Sequence, residues 1–272
     1  MIIYEDSHTT VFQSALVLTN STVIETDDLV LVIDPAWLPN EVEQIKQEVD
    51  RRQKGRPVYL LFTHSHFDHV LGYGAFPEAK TIGSVGTKKH PEKANILNKI
   101  KMFDDELYLH RNYGIHYPNI DYAIEEDGQT LSIGKTKLTF YQAQGHSSDG
   151  FFTLIDSLGV FIAGDHLSDV EFPFIEDSKE YERTLEKAEW ILQHHPVQLL
   201  IPGHGSPTKK MDEIIRRQKG DLEYIRTIRN VVLGIEENIK LDQYIHRYEF
   251  VDGIRGYHKK NIEVIKKELG LL

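Results

Sequence analysis

Thr63-His64-Ser65-His66-Phe67-Asp68-His69 puts three imidazoles and a carboxylate directly behind the apolar run Val58-Tyr59-Leu60-Leu61-Phe62. Imidazole nitrogens and carboxylate oxygens are ligands of divalent transition metals, and so dense a set points to a metal site rather than a polar loop. Helical metal motifs space two histidines four apart on one face. His64 and His66 are two apart, so an extended or looping backbone has to carry them.

Three further stretches repeat the layout. Leu138–Tyr141 leads into Gly145-His146-Ser147, Val160–Ala163 into Gly164-Asp165-His166, and Gln198–Ile201 into Gly203-His204. Each time an apolar strand ends in a glycine-assisted turn that bears a ligand-type residue. In open α/β sheets the ligand crevice lies outside the carboxyl ends of the strands. Four such ends converging would bring five imidazoles and two carboxylates into one pocket, enough for two ions. Alternation points His166 away from that pocket, into the core or behind the ligands.

The elements that position these residues can be read in order. The bursts Ser14–Leu18, Ser21–Glu25 and Leu29–Ile33, separated by polar breaks, predict a β-meander that Asp34-Pro35 ends. Asn40 with Glu43 three residues on, then Val42, Ile45 and Val49, predicts a helix that Gly55 and Pro57 stop. Residues 84–110 read as helical, and 107–117 as an insertion rich in Tyr, His and Asn. Strands are expected at 137–140, 151–155, 159–163 and 198–201, with a helix opening at Asp177 between the last two. From about Lys209 the apolar spacing is helical to the end, with one stripe through Met211, Ile214, Ile215, Leu222, Ile225 and Ile228. The expected organisation is a metal-binding domain over 1–208 and a helical extension over 209–272 packed on it.

Composition bounds the partners. The 272 residues are 40% hydrophobic and 27% charged, a balance that supports a buried core and argues against disorder. A net charge of −11 argues against nucleic acid, whose phosphates are neutralised by lysine and arginine. The chain has no cysteine, so thiolate ligands and disulfides are excluded. The start Met1-Ile2-Ile3-Tyr4-Glu5-Asp6 has no basic or apolar leader character, and no stretch approaches the roughly 20 apolar residues of a membrane span. A cytoplasmic protein acting on a small molecule, without a membrane partner, is expected; the sequence leaves homo-oligomerisation open.

The four motifs T-H-S-H-F-D-H, G-H-S, G-D and G-H-G, in this order over roughly residues 12–208, resemble the metallo-β-lactamase fold superfamily. The resemblance implies an α/β fold, a four-layer αβ/βα sandwich of two mixed β-sheets flanked by helices. It implies one ion held by His64, His66 and His146, a second by Asp68, His69 and His204, and Asp165 bridging them. Zn²⁺ is the expected metal, with Fe²⁺ or Mn²⁺ as alternatives. Two such ions about 3.5–4 Å apart would lower the pKa of a bound water towards 7 and supply hydroxide at neutral pH. Asp68 and Asp165 are then the catalytic carboxylates.

The secreted zinc β-lactamases often use a cysteine that this chain lacks. A bridging Asp165 is similar instead to the hydroxyacylglutathione hydrolases and acyl-homoserine lactonases. The implied activity is hydrolysis of a small ester, thioester or lactone. The alternative is an iron-dependent oxidoreductase or sulfur dioxygenase of the same fold, with a phosphodiesterase or nuclease ranked lower. Tyr113 and His116 of the insertion, Phe172 after Asp165, and Tyr257 and His258 of the tail are candidate substrate contacts.

Overall fold

The computed structural model describes residues 1–237 and 239–272, and their side chains except those of 239, 240 and 242. Seven strands pair in chain order into one sheet: β1 (Ile2–Glu5), β2 (Thr9–Gln13), β3 (Asn20–Glu25), β4 (Val30–Ile33), β5 (Val58–Leu61), β6 (Lys80–Ser84) and β7 (Tyr122–Ile124). Pairing is antiparallel from β1 to β4 and parallel from β4 to β7. A second sheet holds β8 (Thr130–Ile133), β9 (Thr136–Gln142), β10 (Phe151–Ile155), β11 (Val160–Ile162) and β12 (Leu199–Ile201), antiparallel except for the parallel β11–β12 pair. Both sheets are therefore mixed. The helices are α1 (Pro39–Gln53), α2 (Phe67–Val70), α3 (Val85–Lys88), α4 (Lys93–Glu106), α5 (Ser178–His194), α6 (Met211–Val232), α7 (Ile239–Ile245) and α8 (Val251–Glu268).

Three apolar clusters make this a four-layer sandwich, and the two-residue period of the strands produces them. Leu29, Leu31, Ile33, Tyr59 and Leu61 of the first sheet face Phe140, Phe151, Val160, Ile162 and Ile201 of the second. Their alternates Val30, Val32, Leu60 and Phe62 pack outward against Val42, Ile45 and Val49 of α1 and Ile96 and Ile100 of α4. Phe152, Leu154, Phe161 and Leu200 turn to the opposite outside, against Leu185, Ala188 and Ile191 of α5, with Ile214, Tyr224, Ile225 and Ile228 of α6 and Ile254 and Ile265 of α8. Strands buried on both faces read as continuous apolar runs, and that made β4, β5 and β10 to β12 visible in the sequence.

Several local expectations change. The burst Ser14–Leu18 is the turn between β2 and β3, with Val17 and Leu18 at φ 45° and 51°. Its apolar residues follow their surroundings at the edge of the site, not a strand period. Helix α1 starts at Pro39, and the carboxylate that accepts from the backbone N–H of Leu38 (3.0 Å) belongs to Glu41, not Glu43. The helical stretch 84–110 is two helices interrupted at 89–92, and β6, β7 and β8 carry too few apolar residues to stand out. Residues 107–121 form no helix or strand, as the insertion reading expects. In α6, Ile214, Ile225 and Ile228 are buried while Met211 and Ile215 are more than a third exposed.

Candidate metal centre

The four motifs meet at one edge of the sandwich. Strand β5 delivers residues 63–69, whose last part coils into α2; β9, β11 and β12 deliver His146, Asp165 and His204. Potential ligand atoms of His64, His66, His146 and Asp165 lie within 4.8 Å of one another, and those of Asp68, His69 and His204 form a second such group. The carboxylate of Asp165 stands between the two. Its Oδ2 is 3.1 Å from His146 Nε2 and 3.6 Å from His64 Nε2, while Oδ1 is 3.1 Å from His69 Nε2. His204 Nε2 is 3.4 Å from Asp165 Oδ2 and 3.6 Å from Asp68 Oδ2.

Hydrogen bonds at the backs of the rings select the nitrogens that face the centre. His146 Nδ1 is 3.0 Å from the Phe174 carbonyl and His204 Nδ1 is 2.8 Å from the Val17 carbonyl. A carbonyl only accepts, so each Nδ1 carries a proton and Nε2 is the nitrogen left to bind an ion. His69 Nδ1 is held by Asp34 Oδ2 at 2.9 Å. His66 is turned the other way, with Nδ1 3.0 Å from His146 Nε2 and Nε2 3.9 Å from Glu176 Oε1.

The donor set fits divalent ions. His64 Nε2 is fully buried without a hydrogen-bond partner, and His69 Nε2 and Asp165 Oδ1, equally buried, have only each other at 3.1 Å without an aligned hydrogen bond, a costly state for polar atoms unless something else satisfies them. Bonds of about 2.0–2.1 Å in a tetrahedral shell put neighbouring ligand atoms about 3.4 Å apart, the spacing found here. Electrostatics agree. Burial pushes the Asp165 carboxyl up, but His69, His204, His64 and His146 outweigh it and hold the group well below the usual carboxylate range. Burial raises Asp68 as well, and His69 and His204 bring it down to about 2. Both stay anionic, as ligands must.

Gly203 is required by close approach: a Cβ there would sit 2.2 Å from Asp165 Oδ1. Asp34, at the end of β4, was not visible as a functional residue. It takes φ 46°, accepts from the Thr63 backbone N–H (2.8 Å) and hydroxyl (2.6 Å), and so orders the start of the ligand loop as well as His69. β4 is a fifth strand ending at this edge, which its pairing with β5 reveals. His166 is buried between Phe152 and Tyr181, its ring 6.2 Å from that of His146, and belongs to neither ligand group.

The candidate substrate residues scatter. Tyr257 of α8 is 46% exposed, stacks on Phe174 with ring centroids 3.9 Å apart and planes 7° apart, and feels the charges of Asp68 and Glu171. Phe172 is buried, stacked on Tyr224, and lines a small cavity of about 10 Å³ with His146, Asp165 and Glu171. His258 is buried, 2.8 Å from the Tyr224 hydroxyl. Tyr113 accepts from Arg111 (2.8 Å) and packs against the outer cluster of the first sheet, and His116 is exposed.

A two-sheet αβ/βα sandwich with histidines and aspartates gathered at the strand ends of one edge defines a class of metal-binding hydrolase folds. The model of the metallo-beta-lactamase superfamily matches residues 15–225, and the chain belongs to that superfamily, whose members are mostly hydrolytic enzymes. A probable metallo-hydrolase, YqgX of Bacillus subtilis (strain 168), is 28% identical over 149 residues, 54% of this chain and 65% of the relative. An atrochrysone carboxyl ACP thioesterase of Aspergillus fumigatus is 24% identical over 222 residues, 78% of this chain and 60% of the relative. The chain thus spans somewhat under two thirds of the length of both. The solved structure of a double mutant of the sec-alkyl sulfatase PisA1 superposes with a TM-score of 0.72 at 14% identity, over 98% of this chain and 49% of that one, a likeness of fold. Among the described residues, no helix is long and apolar enough to cross a membrane.

Proposed function

We propose that this chain is a dinuclear metal hydrolase that cleaves a small ester, thioester or lactone. The observation that carries the reading is the Asp165 carboxylate between two ligand groups, one of three imidazoles and one of Asp68, His69 and His204. Two divalent ions bound there would polarise the scissile carbonyl as Lewis acids and lower the pKa of a bound water towards about 7. The chain's own residues do the rest. His146 and His204 are locked in the Nδ1–H tautomer by backbone carbonyls, and His69 is oriented by Asp34, so the nitrogens aimed at the ions are set before any ion arrives. Asp68 keeps Oδ2 towards His69 and His204 and, ionised, offers its other oxygen to the proton released when water attacks. Phe174 and Tyr257 form an apolar plate beside the centre for the acyl part of the substrate.

Zn²⁺ suits the all-nitrogen-and-oxygen set, and Fe²⁺ and Mn²⁺ share its ligand preferences. The thioesterase relative is compatible with the thioester branch. Asp165→Asn tests the reading. Elemental analysis of the purified variant should show the loss of at least one equivalent, and kcat/KM on a panel of thioesters and lactones should fall by about 100-fold or more. Wild-type rates and wild-type metal content in that variant would sink it.

A further inference from the structure

We propose that Arg217 of α6 is a positioning residue that keeps the Asp165 and His204 loops in register, and so sets the affinity of the Asp68–His69–His204 site; this rests on the dinuclear reading above. The guanidinium is 4% exposed and spans both loops two residues beyond each ligand. Its Nη1 donates to the Leu167 carbonyl (3.2 Å) and to the Ser206 carbonyl (2.9 Å), and Nη2 lies 3.3 Å from Asp169 Oδ2. Asp169 closes the bridge, its Oδ1 accepting from the Ser206 backbone N–H at 2.7 Å.

The two loops need such a clamp because neither is a relaxed turn. Leu167 is a buried leucine at φ 60°, a region where a side chain is strained, and Asp221, one turn along α6 from Arg217, accepts from its backbone N–H. Gly205 is at φ 92°, and a Cβ on it would lie 2.2 Å from Asp169 Oδ1, so the Asp169 carboxylate packs directly on the backbone next to His204. Two α6 side chains therefore grip Leu167 by its N–H and its carbonyl, and one of them also grips the His204 loop. A planar five-donor cation makes these contacts at once; a point charge would not. On the other side the loop is tied to the β2–β3 region, through Gly205 N–H to Leu18 O (3.0 Å), Gln13 Nε2 to Gly205 O (2.8 Å) and Asn20 Nδ2 to Pro202 O (2.9 Å) and Gly205 O (2.8 Å), and just before His204 the Gly203 N–H donates to Gly164 O (2.6 Å). Loss of Arg217 frees the α6 side of the loop, whereas His64, His66 and His146 keep their own supports.

The test is a Zn²⁺ titration of the metal-stripped full chain against a chromophoric chelator, with His204→Ala assigning the step that belongs to the Asp68–His69–His204 site. In Arg217→Met, that step should weaken by about 10–100-fold and the other by clearly less, since of its group only the bridging Asp165 lies on a clamped loop. Asp169→Ala, on a side chain near the surface, should weaken the same step and carries the test if Arg217→Met does not fold. A purely structural role would lower the melting temperature of the metal-free protein and leave the ratio of the two constants at its wild-type value. An unchanged ratio in a folded variant overturns the role of Arg217 alone. A wild-type chain that takes up fewer than two ions overturns the dinuclear reading and this inference with it.

Discussion

Asp34 shows how much of a metal centre lies outside its ligands. Its two oxygens serve the Thr63 backbone, the Thr63 hydroxyl and His69 Nδ1 from a fully buried position. Carboxylates behind metal-binding histidines fix ring orientation and raise ligand basicity, and their loss typically costs 10–100-fold in affinity. Asparagine tolerates the same positive φ and keeps one acceptor, so Asp34→Asn should fold and yet bind the ion of the His69 site about 10–100-fold more weakly. The chelator titration reads this directly; an unaltered constant would show that His69 needs no anionic partner. The seven centre residues were legible because their types are rare in such density. Asp34 was not, because a single aspartate before a proline reads as a strand stop, and only the folded sheet reveals that β4 ends beside β5.

The elements behind the centre are tied by buried polar pairs that no periodicity announces. Helix α1 is anchored to the first hairpin through Glu48, whose carboxylate accepts from Thr10 (2.6 Å), Arg51 (2.7 Å) and Arg52. Burial raises its pKa, and the two arginines and Thr10 overcome this and bring it to about 2, below the ordinary value of 4.5. A depressed carboxyl contributes stability that is fully present above the unfolded value and is lost as pH falls through the folded one. The wild type should therefore lose stability between about pH 4.5 and 2 through this group, by about 2 kcal/mol after allowance for screening near the surface. Glu48→Gln should flatten that part of the acid-unfolding curve followed by circular dichroism. A curve parallel to the wild type over this window would assign the acid limb elsewhere. Strands were legible where they are continuous apolar runs and lost where they are not, as with the edge strands β1, β7 and β8 and with β2 and β6 inside the first sheet, where threonine, lysine and glycine interrupt the apolar residues.

Across the whole molecule, the helices after residue 209 are part of the second outer layer. Ile214, Tyr224, Ile225 and Ile228 of α6 and Ile254 and Ile265 of α8 share one cluster with α5 and the second sheet. Asn261 of α8 accepts from the Ile175 backbone N–H (2.9 Å) and donates to Pro173 O (2.6 Å), fixing the segment whose Phe174 carbonyl holds His146. A chain ending at Thr208 should therefore fail to unfold cooperatively and should bind ANS, because the outer face of the second sheet would be open to water; a sharp thermal transition from that fragment would refute this. The family match running to residue 225, into α6, is in keeping with the expectation.

By itself the sequence determined the layered α/β class and the ligand chemistry, because strand-length apolar runs and dense histidines are local properties of the chain. It also determined which strand ends carry ligand-type residues, since each follows its strand within a few residues. The tertiary structure alone decided which ring nitrogen faces the centre, that Asp34 stands behind His69, and that Arg217 lies across two loops. Those are contacts between residues 11 to 187 positions apart, and their partners are backbone carbonyls, backbone N–H groups and common charged side chains. Nothing in residue type marks such a group as a partner until the chain has closed on it.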